Sequence, residues 1–295
     1  MRRPAAVPVA ALAPAPAPAR AWSASAEPKS TVTADYLRVP RAVGAMAKDF
    51  AAGYRIPADT HTRGQLIYAV SGVMSVDTEH GTWVVPPERA VWVPPGTLHS
   101  TRMSGAVAMR TLYIRGKECE SLPARCCVIN VTSLLRELIL RAVELPLRYD
   151  EAGAAGRVMA LILDEMEAAH QLPLHLPHAR DARVIKVCEA LSANPADTRS
   201  LAEFGSAFGA SERNLARLFV RETGMSFAAW RQQARLVAAL EQLAQRAPIG
   251  RIAESLGYES ASAFTAMFKK SLGVAPKDYF AVADRQQAGL PARST

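Results

Sequence analysis

Apolar residues in the last third of the chain recur at helical spacing, and one such stretch occurs twice. Between Ser211 and Gly224, Leu215, Leu218 and Phe219 form an i, i+3, i+4 triplet, with a serine suited to an N-cap before it and a glycine suited to a C-cap after it. A shift of about 49 residues lays Ser211 on Ser260, Leu215 on Phe264, Leu218 on Met267, Phe219 on Phe268, Gly224 on Gly273 and Trp230 on Tyr279. Leu201 to Gly209 and Ile249 to Gly257 each predict a short helix ending in glycine just upstream of a copy. Short helix, glycine turn and serine-capped second helix together predict two helix-turn-helix motifs. Ser200 with Glu203 makes a capping box for the first, and Val184, Val187, Cys188 and Leu191 predict a helix before it. Phe227 to Ala244 joins the copies as a helix anchored by Trp230, Leu236, Leu240 and Leu243.

Upstream the periodicity changes. Between about Val32 and Cys127 the chain reads as short β segments broken by Gly and Pro. Gln65 to Val70 and Val73 to Val76 flank Ser71-Gly72, a hairpin signal; Trp83 to Val85, Ala90 to Val93 and Val107 to Ile114 continue the series. This spacing predicts a small double-sheet barrel. Two amphipathic stripes follow, Leu134, Leu135, Leu138, Ile139 and Val143, then Val158, Leu161, Ile162 and Met166, which must be buried on the barrel or on a second subunit. Leu172 to Arg183, with prolines at 173 and 177, reads as a hinge in which His175 and His178 are linker side chains.

Composition adds limits. The 295 residues suffice for two cores, and a net charge of +8 favours an anionic partner. Residues 1–30 are Ala/Pro-rich, and prolines at 14, 16 and 18 deny them the unbroken apolar core of a secretory signal, so a disordered tail is expected. Cys119, Cys126, Cys127 and Cys188 have no metal-ligand or disulfide-framework spacing, which predicts reduced thiols and a cytoplasmic protein. No run of about 18 apolar residues is present, so no membrane span is expected.

Two sets of residues carry candidate chemistry. On the helix from Glu212 to Thr223, burial of the apolar triplet leaves Arg213, Asn214, Ala216 and Arg217 outward, where arginine forks can read guanine edges. The second copy offers Ser262, Thr265 and Ala266 instead, suited to thymine methyls and shape rather than to strong base discrimination. Arg221, Arg231, Arg235, Lys269 and Lys270 are candidate phosphate contacts. In the β region, Asp59, His61 and Gln65 before Gly72 resemble the first motif of cupins, and Pro94 to His99 the second. Metal-binding cupins place histidines and a glutamate there. Here aspartate and glutamine replace two of those ligands, leaving Asp59, His61, Gln65 and His99 as an effector pocket, with a divalent metal on His61, His99 and Asp59 as the alternative. No cofactor is otherwise expected, and a metal-dependent cupin enzyme is the rival reading.

The segment from Leu201 to Phe280, with Thr-Gly-Met-Ser-Phe at 223–227, Trp-Arg-Gln-Gln-Ala-Arg-Leu at 230–236, Ile-Ala-Glu-Ser-Leu-Gly-Tyr at 252–258 and Leu-Gly-Val-Ala-Pro-Lys-Asp-Tyr at 272–279, resembles the AraC/XylS family of transcription regulators. The β half, with Gln-Leu-Ile-Tyr and Trp-Val-Val-Pro-Pro-Glu-Arg-Ala-Val-Trp-Val-Pro, resembles its branch containing a nitroimidazole-sensitivity repressor. The resemblance implies an α+β multidomain chain. Its parts would be a tail (1–30), a cupin-like β-barrel sensor (31–127), connecting or dimerisation helices (128–179), an all-α DNA-binding domain with two helix-turn-helix motifs (180–285) and a second tail (286–295). It also implies double-stranded DNA, a small-molecule effector, a homodimer and RNA polymerase as partners, and repression or activation of a nearby gene such as one for a transporter. A cup serving only dimerisation is a third reading.

Overall fold

The computed structural model describes Ser30 and residues 32–279 apart from Pro173; but for Ser30, the two predicted tails lie outside the described residues. A short helix α1 (Thr33–Arg38) leads into seven strands: β1 (Val43–Phe50), β2 (Arg55–Asp59), β3 (Gly64–Thr78), β4 (Gly81–Val85), β5 (Arg89–Val93), β6 (His99–Ile114) and β7 (Cys127–Asn130). Helices α2 (Ser133–Ala142) and α3 (Ala154–Glu167) follow, then β8 (Gln171–Leu172) and β9 (His175–Pro177). The strands pair antiparallel, with β3 and β6 at the centre: β6 also takes β1 and β2, and β3 also takes β4 and β5. β7 joins β5, β8 joins β7 and β9 joins β4.

The barrel walls alternate with period two, as strands buried on both faces must. Val43, Leu66, Tyr68, Ala90, Trp92, Leu112 and Ile114 face a cluster shared with Leu135 and Ile139 of α2 and Met159, Ile162 and Met166 of α3. Met46, Ile67, Ala69, Val91, Val93, Met109 and Tyr113 face the opposite way. The connecting helices therefore bury one side of their stripes on the barrel, while Leu134 (49 %) and Leu161 (40 %) stay exposed.

Three local expectations are corrected. Ser71-Gly72 is not a hairpin: β3 runs straight through it, with register shifts against β6 between Ala69, Ser71 and Val73. Of Ser71 and Gly72 only the second is at positive φ (Gly72, +80°), whereas a type I′ turn needs both central residues there and a type II′ turn the first, so the chain bulges instead of reversing. A Cβ on Gly72 would sit 2.2 Å from the Ala106 carbonyl oxygen, which fixes glycine at this place. The proline-rich hinge is held too, because its residues supply β8 and β9, His175 stacks on Trp83 and Trp230 Nε1 donates to the Pro177 carbonyl at 3.1 Å. Residues 33–38, inside the stretch read as β segments, are helical.

The C-terminal helices follow the predicted order: α4 (Ala182–Ala193), α5 (Leu201–Phe208), α6 (Glu212–Thr223), α7 (Phe227–Ala244), α8 (Ile249–Ser255) and α9 (Ala261–Leu272). The first motif packs around Phe204, Leu215, Leu218, Phe219 and Trp230 in a cluster joined by Leu176 from the linker. The second motif does not stand apart. Leu236, Leu240, Leu243, Ile252, Phe264 and Phe268 belong to the same continuous cluster as the inner barrel residues.

Candidate effector cup and DNA-reading surface

Local chemistry builds both recognition helices alike. Ser211 Oγ accepts from Asn214 N at 3.3 Å and Ser260 Oγ from Ala263 N at 3.1 Å, each satisfying an orphan amide of the first turn. Gly224 and Gly273 end the helices at φ +72° and +82°, where a side chain would be strained. The apolar triplet of α6 is buried, which turns Arg213 and Arg217 to solvent on one face. Arg217 Nη2 donates to Asn214 Oδ1 at 3.2 Å, so the pair presents one hydrogen-bonding edge. On α9, Ser262 and Ala266 are exposed and Thr265 is half-buried. The Thr265 hydroxyl donates back to the Ala261 carbonyl at 2.7 Å, leaving its methyl and oxygen lone pairs for contact. Gly205 of α5 stands where the motif approaches itself closely: a Cβ there would meet the Ala210 carbonyl of the motif's own turn at 2.5 Å.

The candidate phosphate contacts divide. Lys269 and Lys270 are exposed in the last turn of α9, and Arg221 is exposed but paired with Glu222 at 2.8 Å. Glu222 in turn accepts from the Arg180 and Asp181 amides at 3.0 and 3.1 Å, tying the end of α6 to the linker. Arg231 and Arg235 are half-buried instead and donate to the backbone carbonyls of Arg199 and Pro195.

In the barrel, β2, β3 and β6 bring Asp59, His61, Gln65 and His99 to one cavity of about 140 Å³. Gln65 is the hub. Its Oε1 lies 2.9 Å from His99 Nε2 and 3.2 Å from His61 Nε2, while its Nε2 faces Thr111 Oγ1 at 2.9 Å and Tyr113 Oη at 3.2 Å. The other ring nitrogens face carbonyls, His61 Nδ1 that of Arg63 at 2.6 Å and His99 Nδ1 that of Thr97 at 2.9 Å. Burial, the largest cause, lowers the pKa of His99 and keeps it neutral. Thr111 gives its one hydroxyl proton to the Leu66 carbonyl at 2.9 Å, so it accepts from Gln65 Nε2, and Gln65 Oε1 is the atom that faces both imidazole Nε2 atoms.

Both Nε2 atoms are directed at an amide, the Asp59 carboxylate accepts from the Thr60 amide at 2.7 Å, and among the described residues no three His, Cys, Asp or Glu side chains converge. Apart from Lys48, the rest of the lining is apolar or hydroxylic, including Met46, Ile67, Met109, Thr101, Tyr113 and Thr33 of α1. Arg63 holds that arm down: its buried guanidinium donates to the carbonyls of Leu37, Val39, Arg41, Ala42 and Tyr113. The motif reading missed Thr101, Thr111 and Tyr113, although counting by twos along the strand from His99 reaches all three.

No described helix is long and apolar enough to cross a membrane, and all four cysteines are free. Residues 204–281 match the helix-turn-helix domain family, and residues 49–162 match the AraC-like ligand binding domain family. The chain is 36 % identical over 225 residues to the HTH-type transcriptional regulator NimR of Escherichia coli K12, covering 76 % of this chain and 82 % of that protein. It is 31 % identical to the Arabinose operon regulatory protein of the same organism, over 45 % of each chain. Among solved structures, ToxT from Vibrio cholerae aligns with 81 % of this chain and 98 % of its own at a TM-score of 0.35 and 11 % identity. With a ligand-binding barrel ahead of two helix-turn-helix motifs, the chain belongs to the AraC family of DNA-binding transcription regulators.

Proposed function

We propose that this regulator is a cytoplasmic protein without enzymatic activity that reads double-stranded DNA through two unequal helices, under control of a small organic effector held in the barrel. The observation that carries the reading is the outward face of α6, where Arg213 and Arg217 stand exposed beside Asn214 on a helix capped at both ends. Arg213, Asn214, Ala216 and Arg217 read base edges in one major groove. Ser262, Thr265 and Ala266 fit a second groove with less discrimination, and Arg221, Lys269 and Lys270 add phosphate contacts. The 18 residues of α7 span about 27 Å, against ~34 Å between successive major grooves on one face of the duplex.

The cup suits a ligand of roughly benzene size, since a cavity near 150 Å³ admits one. Its apolar walls would hold the body of the ligand, and Asp59, His61, Gln65 and His99 its polar end. Leu134 and Leu161, exposed on the connecting helices, support pairing of two chains through that face. Repression or activation of a nearby gene, through contact with RNA polymerase or exclusion of it, completes the reading.

The test compares a duplex selected by the protein from a randomised pool with an unrelated duplex. Arg213→Ala or Arg217→Ala is expected to weaken binding to the selected duplex by about 1–3 kcal/mol and to the unrelated one far less. Equal losses on both would make these arginines phosphate contacts and overturn the assignment.

A further inference from the structure

The loop entering the first motif and the turn inside the second meet across α7. Arg235, in the middle of α7, donates from Nε to the Pro195 carbonyl at 2.9 Å, and its guanidinium lies 5.5 Å from the centre of the Tyr258 ring. Gln232 Nε2 lies 3.2 Å from Tyr258 Oη. Beside them Gly257 sits at φ +74°, and a Cβ on it would come within 3.1 Å of Ala196 Cα and 3.2 Å of the Ala196 carbonyl oxygen. One turn earlier Arg231 donates to the Arg199 carbonyl and lies 4.3 Å from the centre of the Phe227 ring.

The loop that receives these contacts is itself stiff. Asn194 caps it through the Ala196 amide at 3.2 Å and the Asp197 amide at 3.0 Å, and Asp197 pairs with Arg199 at 2.6 Å. The two motifs have separate apolar clusters, so packing within either leaves their mutual angle open. α7 connects them, with Trp230 and Ala234 in the first cluster and Leu236, Leu240 and Leu243 in the second. The contact between residues 194–199 and 257–258 removes that freedom, and the Arg235 guanidinium bridges it.

We propose that Arg235 is a positioning residue rather than a phosphate contact: together with the close approach at Gly257 it locks the spacing between α6 and α9, so that the protein accepts one separation of its two DNA segments. The proposal rests on the reading of both helices as DNA readers. Two consequences separate it from a phosphate role. A lost phosphate contact lowers the slope of log K against log[salt] by about 0.9, with the preferred spacing unchanged. A lost clamp leaves the slope alone and broadens the spacing the protein tolerates.

The experiment uses the full chain and a duplex selected by the wild-type protein from a randomised pool, together with versions carrying one base pair inserted or deleted between the two protected segments. Wild type is expected to bind the altered duplexes at least about 10-fold more weakly, a difference of ~1.4 kcal/mol. Arg235→Ala is expected to reduce that penalty to about 3-fold while keeping the salt slope, with Arg235→Lys restoring part of the preference. Gly257→Ala, which removes no charge, is expected to broaden the spacing preference in the same way, and circular dichroism melting establishes that each variant is folded. A drop of about one in the salt slope of Arg235→Ala at constant spacing preference would identify a phosphate contact and overturn the proposal. Two protected segments with wild-type spacing preference in every folded variant would overturn the clamp alone. A footprint with a single protected segment would overturn the two-reader reading and the clamp with it.

Discussion

His99 shows how one buried side chain links stability to pH. It is 7 % exposed, and burial lowers its pKa below the ordinary value of about 6.5; burial does the same to His175. Between the depressed folded values and about 6.5 the unfolded chain binds more protons than the folded one, so stability rises with pH through that window. The contribution is complete above about 6.5 and is lost as pH falls toward the folded values. Urea unfolding is therefore expected to give a lower midpoint at pH 5.5 than at pH 7.5. His99→Gln should reduce the difference, and an unchanged difference would place the titration elsewhere. The same substitution tests the cup, since it alters the polar end of the pocket and should weaken the response to whichever small organic molecule releases or promotes DNA binding. At this scale the sequence was only partly legible. The cupin-like motifs pointed to Asp59, His61, Gln65 and His99, but the partners of the Gln65 amide, Thr111 and Tyr113, lie 46 and 48 residues beyond it and reach it through the pairing of β3 with β6.

At the level of elements, β6 and α7 form the link between sensor and reader. Thr101 lines the cup, while its neighbour Arg102 points the other way and meets Glu241 of α7 at 2.8 Å. Glu241 also accepts from the buried Ser75 hydroxyl at 2.9 Å, and α7 reaches the barrel again where the Ala244 carbonyl lies beside Gly105. Because successive strand residues face opposite sides, one stretch of β6 presents Thr101 to the cup and Arg102 to α7. Glu241→Ala leaves Arg102 and Ser75 without this acceptor and is expected to cost about 1–3 kcal/mol in urea denaturation. A double-mutant cycle with Arg102→Ala should show coupling above about 0.5 kcal/mol, and additive losses would mean that the pair is a solvated surface contact. Helices were read from periodicity with their caps because their signals are local: Ser200, Ser211 and Ser260 sit within three residues of the amides they satisfy. Strands were read less well. The Gly72 bulge, the early helix α1 and the linker strands β8 and β9 are set by neighbours distant in sequence, which period-two counting cannot see.

Over the whole molecule, apolar burial divides the chain differently from its sequence boundaries. The first motif closes its own cluster, whereas the second motif and the inner barrel are continuous. Calorimetry is accordingly expected to show the barrel and the second motif melting as one unit, with the first motif free to melt apart from them. A transition in which both motifs separate together from an intact barrel would contradict that partition. The two-domain order was legible because repeat, linker and β segments differ in composition and period. The docking of the second motif was not, because Leu236, Leu240 and Leu243 satisfy a helical pattern whether they face their own motif or the barrel.

That shared cluster bears on how the protein can be dissected. A fragment beginning near residue 180 would keep every residue of both readers yet uncover the flank of the second motif that the barrel shields, and with it a sticky surface. Its solubility should improve when barrel-facing leucines of α7 are replaced by polar residues, and its two halves should differ in protease resistance. Grafting this reader onto a foreign sensor would meet the same obstacle: the incoming module must supply an apolar wall, not merely a linker of suitable length.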